Sequence, residues 1–416
     1  MFTRLRGVAG LLLAAGLTAQ SAPIELVLAE GSGALYRCGE QRLLLLKGSP
    51  HEIGRQHGKL LAAEVRLVTE ETLAWTERQG LSPAALQQLL AQATPFIPRR
   101  YEQEMAGLAA GSGVPLARIR LLHAMPSYFH CTGLAAAKTA TKDGKLYHLR
   151  SLDYALDIGT STRIQNHAVL IVREPEDGLP HAVPSWAGFL GAVTGLNGAG
   201  ISVGEMGSHC KDEDHRGVPM VFQVQEVLRR ATTLAEAVAV FHKGPSTAGY
   251  HFVIGSGDER DAAAVEVTRR QFQLFELGDP RENIAPHTAL PDLVRRSNHF
   301  VAEELAKTQR SPYDPRISKQ SSWEAYARMT AFCEERRGQL DTEALIELLR
   351  RYPREHGCLH QAVMAPTDRW IWVANAADER KAACAGAQNQ DFYGYDLRAL
   401  LARREGMTAR VIPAAR

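Results

Sequence analysis

Apolar positions in the first third of the chain recur at helical spacing. Ser49-Pro50-His51-Glu52 carries helix-start signals: a serine able to cap the first turn, a proline suited to the first helical position, and a glutamate three residues after the cap. Ile53, His57, Leu60, Leu61, Val65 and Val68 follow on one face. Further helical stretches are predicted over Pro83 to Ala93 and Arg99 to Ala110, and a short strand over Gly39 to Lys47 precedes them all. Up to about residue 127 the chain is predicted to be mainly helical.

At Cys131 the pattern changes to short alternating strands. The segments "CTGLAAAKTATKDGKLYHLRSLDYA", "HAVLIVRE", "GAVTGLNGAGISVGEM" and "YHFVIGSGDERDAAAVEVTRRQFQLFEL" read as strand runs. Asp143-Gly144, Asn197-Gly198 and Gly257-Asp258 supply hairpin turns between them. Helices return at Val221 to Arg230, Leu234 to Phe241, Ser322 to Arg336 and Thr342 to Tyr352. Strand runs followed by helices, without regular βαβ alternation, predict an antiparallel α+β architecture.

Composition narrows the function. The 416 residues are 45% hydrophobic and 23% charged, enough to bury a substantial core. The 48 basic and 46 acidic residues nearly balance, which argues against nucleic acid or an anionic membrane surface as partner and for a small molecule. Residues 1–22 read as a secretory signal: Arg4 and Arg6 form a basic region, Val8 to Leu17 an apolar one, and Thr18 to Ala22 a small-residue cleavage zone. No later run is long enough to span a bilayer, so export to a periplasmic or extracellular space is expected. The six cysteines contain no C-x-x-C pair, against a structural zinc site.

One of those cysteines is a candidate nucleophile. Cys131 stands at the head of a small-residue strand, where a buried inert thiol is the plain alternative. A thiol reacts as the thiolate and needs a neighbouring base or cation. Cutting the His130–Cys131 bond would give Cys131 an α-amino group with a pKa of roughly 7.7–8.0, able to take the thiol proton within the same residue. A two-residue turn at Asp143-Gly144 would pair Cys131 with Leu156 and leave Asp153 roughly 10 Å along the strand. Arg150 and Asp153 are an odd number of residues apart, so placing both at the thiol requires a bulge or strand end between them. The cluster His209, Cys210, Asp212, Glu213, Asp214 and His215 packs metal-ligand types together but reads as a polar surface loop. No metal or cofactor is expected.

Six segments, in order, carry a family resemblance: "GSPHEIGRQHGKLL" (48–61), "CTGLAAAKTATKDGKLYHLRSLDY" (131–154), "TGLNGAGISVGEMG" (194–207), "RSNHF" (296–300), "SSWEAYARM" (321–329) and "FYGYDL" (392–397). In these the chain resembles the acyl-CoA:isopenicillin N acyltransferase-like family of N-terminal-nucleophile (Ntn) cysteine hydrolases, related to bile salt hydrolases, penicillin V acylases and acid ceramidases. The resemblance implies an Ntn αββα sandwich of two antiparallel sheets between helical layers, divided into a signal peptide (1–22), a helical propeptide or small chain (23–130) and a catalytic domain (131–416). It implies self-cleavage between His130 and Cys131, with Cys131 as nucleophile, Arg150 beside its thiol and Asp153 orienting the new amine. Asn197 and Asn298 resemble oxyanion residues, and Arg328 a further active-site arginine. On their own residues, Asn197 beside Gly198 is also a plain turn residue and Asn298 a plain helix cap.

The activity implied is cleavage or transfer of the acyl group of an N-acyl amide through a Cys131 thioester, with the Arg-x-x-Asp version favouring hydrolysis. A small-molecule acyl amide or acyl thioester is the expected partner. Two associated chains are expected, with a homo-oligomer compatible. The rivals are a papain-like cysteine peptidase with a Cys/His pair, and a secreted binding module keeping the fold without activity.

Overall fold

The computed structural model describes residues 19–124, 130–284, 288–310, 322–351 and 357–414. Most of the expected leader (1–18), Ser321 of the "SSWEAYARM" segment and Tyr352 at the end of a predicted helix lie outside these.

The N-terminal segment is less helical than its pattern predicts. It opens with four strands, β1 (Gln20–Pro23), β2 (Glu25–Glu30), β3 (Gly33–Cys38) and β4 (Gln41–Gly48), of which only β4 lies where a strand is expected. Leu43 to Leu46 in β4 are all buried because layers cover both faces, and Leu26, Val27 and Leu28 in β2 are all exposed; neither strand alternates. Helices α1 (Pro50–Leu60), α2 (Ala62–Arg78), α3 (Pro83–Ala93), α4 (Arg99–Ser112) and α5 (Leu116–His123) follow. The capping box forms as its residues require: the Ser49 side chain accepts from Glu52 N–H, and Glu52 accepts from Ser49 N–H at 2.9 Å.

Four glycines, Gly54 and Gly58 on α1 and Gly107 and Gly111 on α4, let these helices touch backbone to backbone. A Cβ on Gly54 would lie 2.0 Å from the Glu104 carbonyl oxygen, and one on Gly107 at the same distance from that of His51.

The rest of the chain supplies β5 (His130–Lys138), β6 (Gly144–Asp153), β7 (Ala168–Pro175), β8 (His181–Trp186), β9 (Thr194–Asn197), β10 (Ile201–Gly207), α6 (Met220–Arg230) and α7 (Leu234–His242). Then come β11 (Tyr250–Ser256), β12 (Asp261–Val267), β13 (Phe272–Glu276), β14 (Leu293–Arg296), α8 (Glu303–Ala306), α9 (Ser322–Glu335) and α10 (Thr342–Arg351). The chain closes with β15 (His360–Ala365), β16 (Trp370–Asn375), β17 (Phe392–Asp396), α11 (Leu397–Ala402) and β18 (Thr408–Ile412).

Among the described residues these strands form two sheets. One has eight strands in the order β1-β18-β17-β16-β15-β6-β5-β14, the other ten in the order β13-β12-β11-β10-β9-β8-β7-β4-β3-β2. The sheets pack face to face, with α9 and α10 on the outside of the first and α1, α6 and α7 on the outside of the second. This is the expected αββα sandwich, with one difference: β4 pairs with β7 in parallel. The segment before residue 130 thus supplies β2, β3 and β4 to the ten-stranded sheet and β1 to the edge of the eight-stranded one.

Two buried histidines tie that segment to the rest. The ring nitrogens Nε2 of His57 and His123 accept the backbone N–H groups of Gly188 and Leu190, each at 2.9 Å. Burial, reinforced for His57 by the nearby Arg173 charge, lowers His57 to about 3, and burial takes His123 to about 4, so both rings stay neutral acceptors.

Replacing Gly107 by alanine should lower stability by at least the ~1–3 kcal/mol typical of overpacking, because its Cβ meets backbone that cannot rotate away. Gly244→Ala, with nothing within 4 Å of the added carbon, should be near neutral. Thermal unfolding of both variants checks this, and equal melting temperatures would sink it.

Candidate active site

Cys131 sits at the start of β5, facing the ten-stranded sheet. Small residues let the two sheets close here: a Cβ on Gly133 would meet Met206 Sδ at 2.7 Å, and one on Gly204 would meet Arg150 Cγ at 2.9 Å. The stem of Arg150 therefore runs through the gap beside Gly204.

The β5–β6 register differs from the one expected. Cys131 pairs with Leu152, not Leu156, and His130 pairs with Asp153. The connection is longer than two residues, with a register shift between Ala136 and Lys138. It is held from outside, since Thr139 N–H donates to Asp292 Oδ2 at 3.1 Å and Lys142 N–H to the Leu340 carbonyl at 3.1 Å. This slip brings Asp153 beside the His130–Cys131 bond.

Nor is a bulge needed between Arg150 and Asp153. The strand runs regularly, and the two residues reach the site from opposite faces. Arg150 points between the sheets. Asp153 accepts from Ser151 Oγ at 2.7 Å on the other face, where Ser151 also touches Cys358 Sγ at 3.3 Å.

Arg150 is fully buried and organises the interior face. Its Nη2 lies 3.0 Å from Cys131 Sγ and 3.5 Å from Glu205 Oε2, its Nε donates to the Glu205 carbonyl at 3.1 Å, and its Nη1 lies 3.3 Å from His360 Nε2. A guanidinium only donates, so His360 presents an unprotonated Nε2 to it. Burial first, and then the Arg150 charge, holds His360 well below the ordinary range. Burial pushes Glu205 up to about 8 against the opposing pull of Arg150. At neutral pH Glu205 is thus largely uncharged, and the arginine's charge is directed at the thiol. Cys131 is 1% exposed, and burial raises it well above the usual thiol range, with Arg150 opposing and Glu205, Asp153 and Cys358 adding to the rise. In the intact chain the thiol is protonated.

Asn298 reaches residue 131 from the loop after β14. Its Oδ1 accepts the Cys131 backbone N–H at 2.8 Å and its Nδ2 donates to the Gly207 carbonyl at 2.6 Å, while its own N–H donates to Ser322 Oγ at 2.6 Å. In this state it presents an acceptor to residue 131.

Asn197 and Arg328 are not brought to the thiol. Asn197 Nδ2 donates to the Leu228 and Ala231 carbonyls at 3.1 and 2.8 Å, and its Oδ1 accepts from Ile201 N–H at 2.8 Å. It closes the β9–β10 turn, roughly 13 Å along the strand from Glu205. Arg328 lies on α9 in an ion pair with Glu324, in a small cavity lined by Thr132 and Leu149, on the far side of the eight-stranded sheet. In the 209–215 loop, Glu213 accepts from Cys210 N–H and Asp214 pairs with Arg216. Among the described residues no helix is long and apolar enough to cross a membrane.

Glu205 and His360 are functional candidates that no motif of the sequence marks. Glu205 lies inside the quoted "GISVGEMG", and a carboxylate in an otherwise apolar strand was a usable signal of a buried functional acid. His360 carried no such signal.

The carboxyl of Glu205 is raised above its unfolded value of 4.5, so between pH 4.5 and about 8 the folded chain binds more protons and stability falls as pH rises. Glu205→Gln should remove that contribution. The melting temperature of the variant minus that of the parent should increase from pH 5 to pH 8; a constant difference would show Glu205 ionised throughout.

A family model described as Acyl-coenzyme A:6-aminopenicillanic acid acyl-transferase matches residues 139–380, which include Arg150, Asp153, Glu205, Asn298 and His360's position but begin after Cys131. Among curated relatives, protein dcd1B of Dictyostelium discoideum is 26% identical over 305 residues, covering 64% of this chain and 60% of that protein. Acid ceramidase of Balaenoptera acutorostrata scammoni is 25% identical over 229 residues, covering 47% of this chain and 55% of the relative. The chain thus spans less than two thirds of the length of these two relatives. A solved Caenorhabditis elegans N-acylethanolamine-hydrolyzing acid amidase ortholog aligns with a TM-score of 0.43 at 17% identity, over 57% of this chain and 93% of that one. Penicillin V acylase from Agrobacterium tumefaciens aligns at 0.40 and 15% identity, over 64% and 91%.

Proposed function

Since the chain belongs to the acyl-coenzyme A:6-aminopenicillanic acid acyl-transferase family, we propose that it is a self-processing cysteine amidohydrolase or acyltransferase acting on an N-acyl amide. The observation that carries this is the Arg150 guanidinium 3.0 Å from Cys131 Sγ while Asn298 Oδ1 holds the Cys131 backbone nitrogen at 2.8 Å. Both ends of one residue are gripped, as a nucleophile with its own amine as base requires.

In the first reaction Cys131 Sγ attacks the His130 carbonyl carbon. The peptide C–N bond breaks, the nitrogen keeps its electron pair and gains a proton, and a thioester joins His130 to the sulfur. Water then cleaves the thioester, leaving a His130 carboxylate, a free thiol and a free α-amine on Cys131. Asp153, paired with His130, is the carboxylate that orients this amine, and Asn298 Oδ1 continues to accept from it. An N-acyl amide then repeats the cycle, its amine departing and water or an acceptor amine resolving the acyl-thioester. Arg150 stabilises the thiolate, with Glu205 largely neutral at physiological pH and so a weak competitor for its charge. The small chain stays bound because β4 lies between β3 and β7. The leader-like residues 1–22 support export.

A papain-like Cys/His pair is not favoured. Among the described residues the hydrogen bond of the thiol is to Arg150, and His360 is turned to that arginine and to Thr194 Oγ1.

Intact-mass analysis is the test. The parent should yield two fragments, the larger beginning at Cys131, and Cys131→Ala should remain one chain. Asn298→Ala should slow cleavage and lower turnover by roughly a hundredfold, the scale of a lost contact to the reacting atoms. An uncleaved parent, or a Cys131→Ala chain that still cleaves, would overturn the proposal.

A further inference from the structure

Two buried tryptophans beside the site are left unexplained by the chemistry above. Trp75 on α2 and Trp186 at the end of β8 are 9% and 6% exposed, and among the described residues neither indole N–H meets an acceptor. An indole nitrogen only donates, and buried donors are seldom left unmatched. Both belong to one apolar cluster with Cys131 and Ile158. Trp75 lies edge-on to Tyr154, the residue after Asp153, with 6.0 Å between ring centres. Trp186 lies 5.6 Å from His360, which touches Arg150, and 6.2 Å from Phe189. Each indole thus packs against a residue next to the site, Tyr154 for Trp75 and His360 for Trp186. On the same face of α2, one turn before Trp75, the buried Thr72 hydroxyl also has no partner among the described residues.

We infer that Trp75 and Trp186 form an acyl subsite, whose indole N–H groups bind an acceptor oxygen carried on an otherwise apolar acyl group. This rests on Cys131 being the nucleophile, and names the acyl chemistry that reading leaves open. The aromatic and aliphatic walls take hydrocarbon, while the unmatched donors take a neutral oxygen such as a ketone or ether. A carboxylate is disfavoured, because the cation at the site, Arg150, is committed to Cys131 and Glu205. Trp75 precedes the cleavage point, so the small chain sets part of the specificity.

The probes are the p-nitroanilides of octanoic and 3-oxooctanoic acid, titrated by calorimetry into the protein as purified. The parent should bind the oxo compound about tenfold more tightly, as expected where a buried polar group loses its partner with the plain chain. Trp75→Phe and Trp186→Phe keep an aromatic wall and remove the N–H. Each should bring the two probes within about threefold of each other, with octanoyl binding little changed. Equal binding of the two probes by the parent, binding of neither, or full preference retained in both variants would overturn the subsite. Intact mass on the same samples separates the two readings: a self-cleaved protein without the preference removes only the subsite, and an uncleaved chain with it removes only the nucleophile.

Discussion

The Arg150 guanidinium is buried between two sheets, and both sheets are shaped around it. Taking the Arg150 charge out of water costs several kcal/mol after relaxation unless its donors are matched. The fold matches them with a backbone carbonyl, a carboxyl, an imidazole nitrogen and a thiol. Each requirement constrains a different strand. Position 204 on β10 has room for the arginine stem only as glycine, β15 must bring His360 beside β6, and β5 must start at Cys131 with small residues behind it. The candidate site is thus the place where the packing of both sheets is decided.

Neutralising Glu205 is part of the same solution. Two ionised groups would satisfy each other and leave the thiol with little cation to face. Burial without full compensation keeps the carboxyl protonated into the neutral range, and leaves Arg150 as the net charge in the pocket. The histidines under the N-terminal helices work in the other direction: His57 and His123 lose stabilising acceptor character as pH falls, while Glu205 loses stability as pH rises. Stability is squeezed from both sides, each limit set by burial.

Cleavage at residue 130 would divide a continuous fold. β4 contributes Leu43 to Leu46 to the core, α1 and α4 meet backbone to backbone, and α2 covers the segment after Asp153, where Glu71 accepts from Ser161 N–H at 3.0 Å. A chain cut there would keep its sheet, because hydrogen bonds and apolar area do not depend on the one peptide bond. The same connectivity puts Trp75, from before the cut, beside residues from after it.

Short-range physics left its marks along the chain. The Ser49–Glu52 capping box, the amphipathic helices, the change to strands at Cys131, and the pairing of a cysteine with a nearby Arg-x-x-Asp were all legible, since capping and periodicity act within a few residues. Ordered motifs also pointed to the sandwich. The β5–β6 register was set at long range, because the turn is fixed by Asp292 and Leu340, about 150 and 200 residues away along the chain. Tertiary packing alone turned Asn197 to the end of α6, and it alone made Glu205 and His360 partners of Arg150. Those roles arise where two sheets close on a charge, and no local pattern records which distant strand will supply the matching atom.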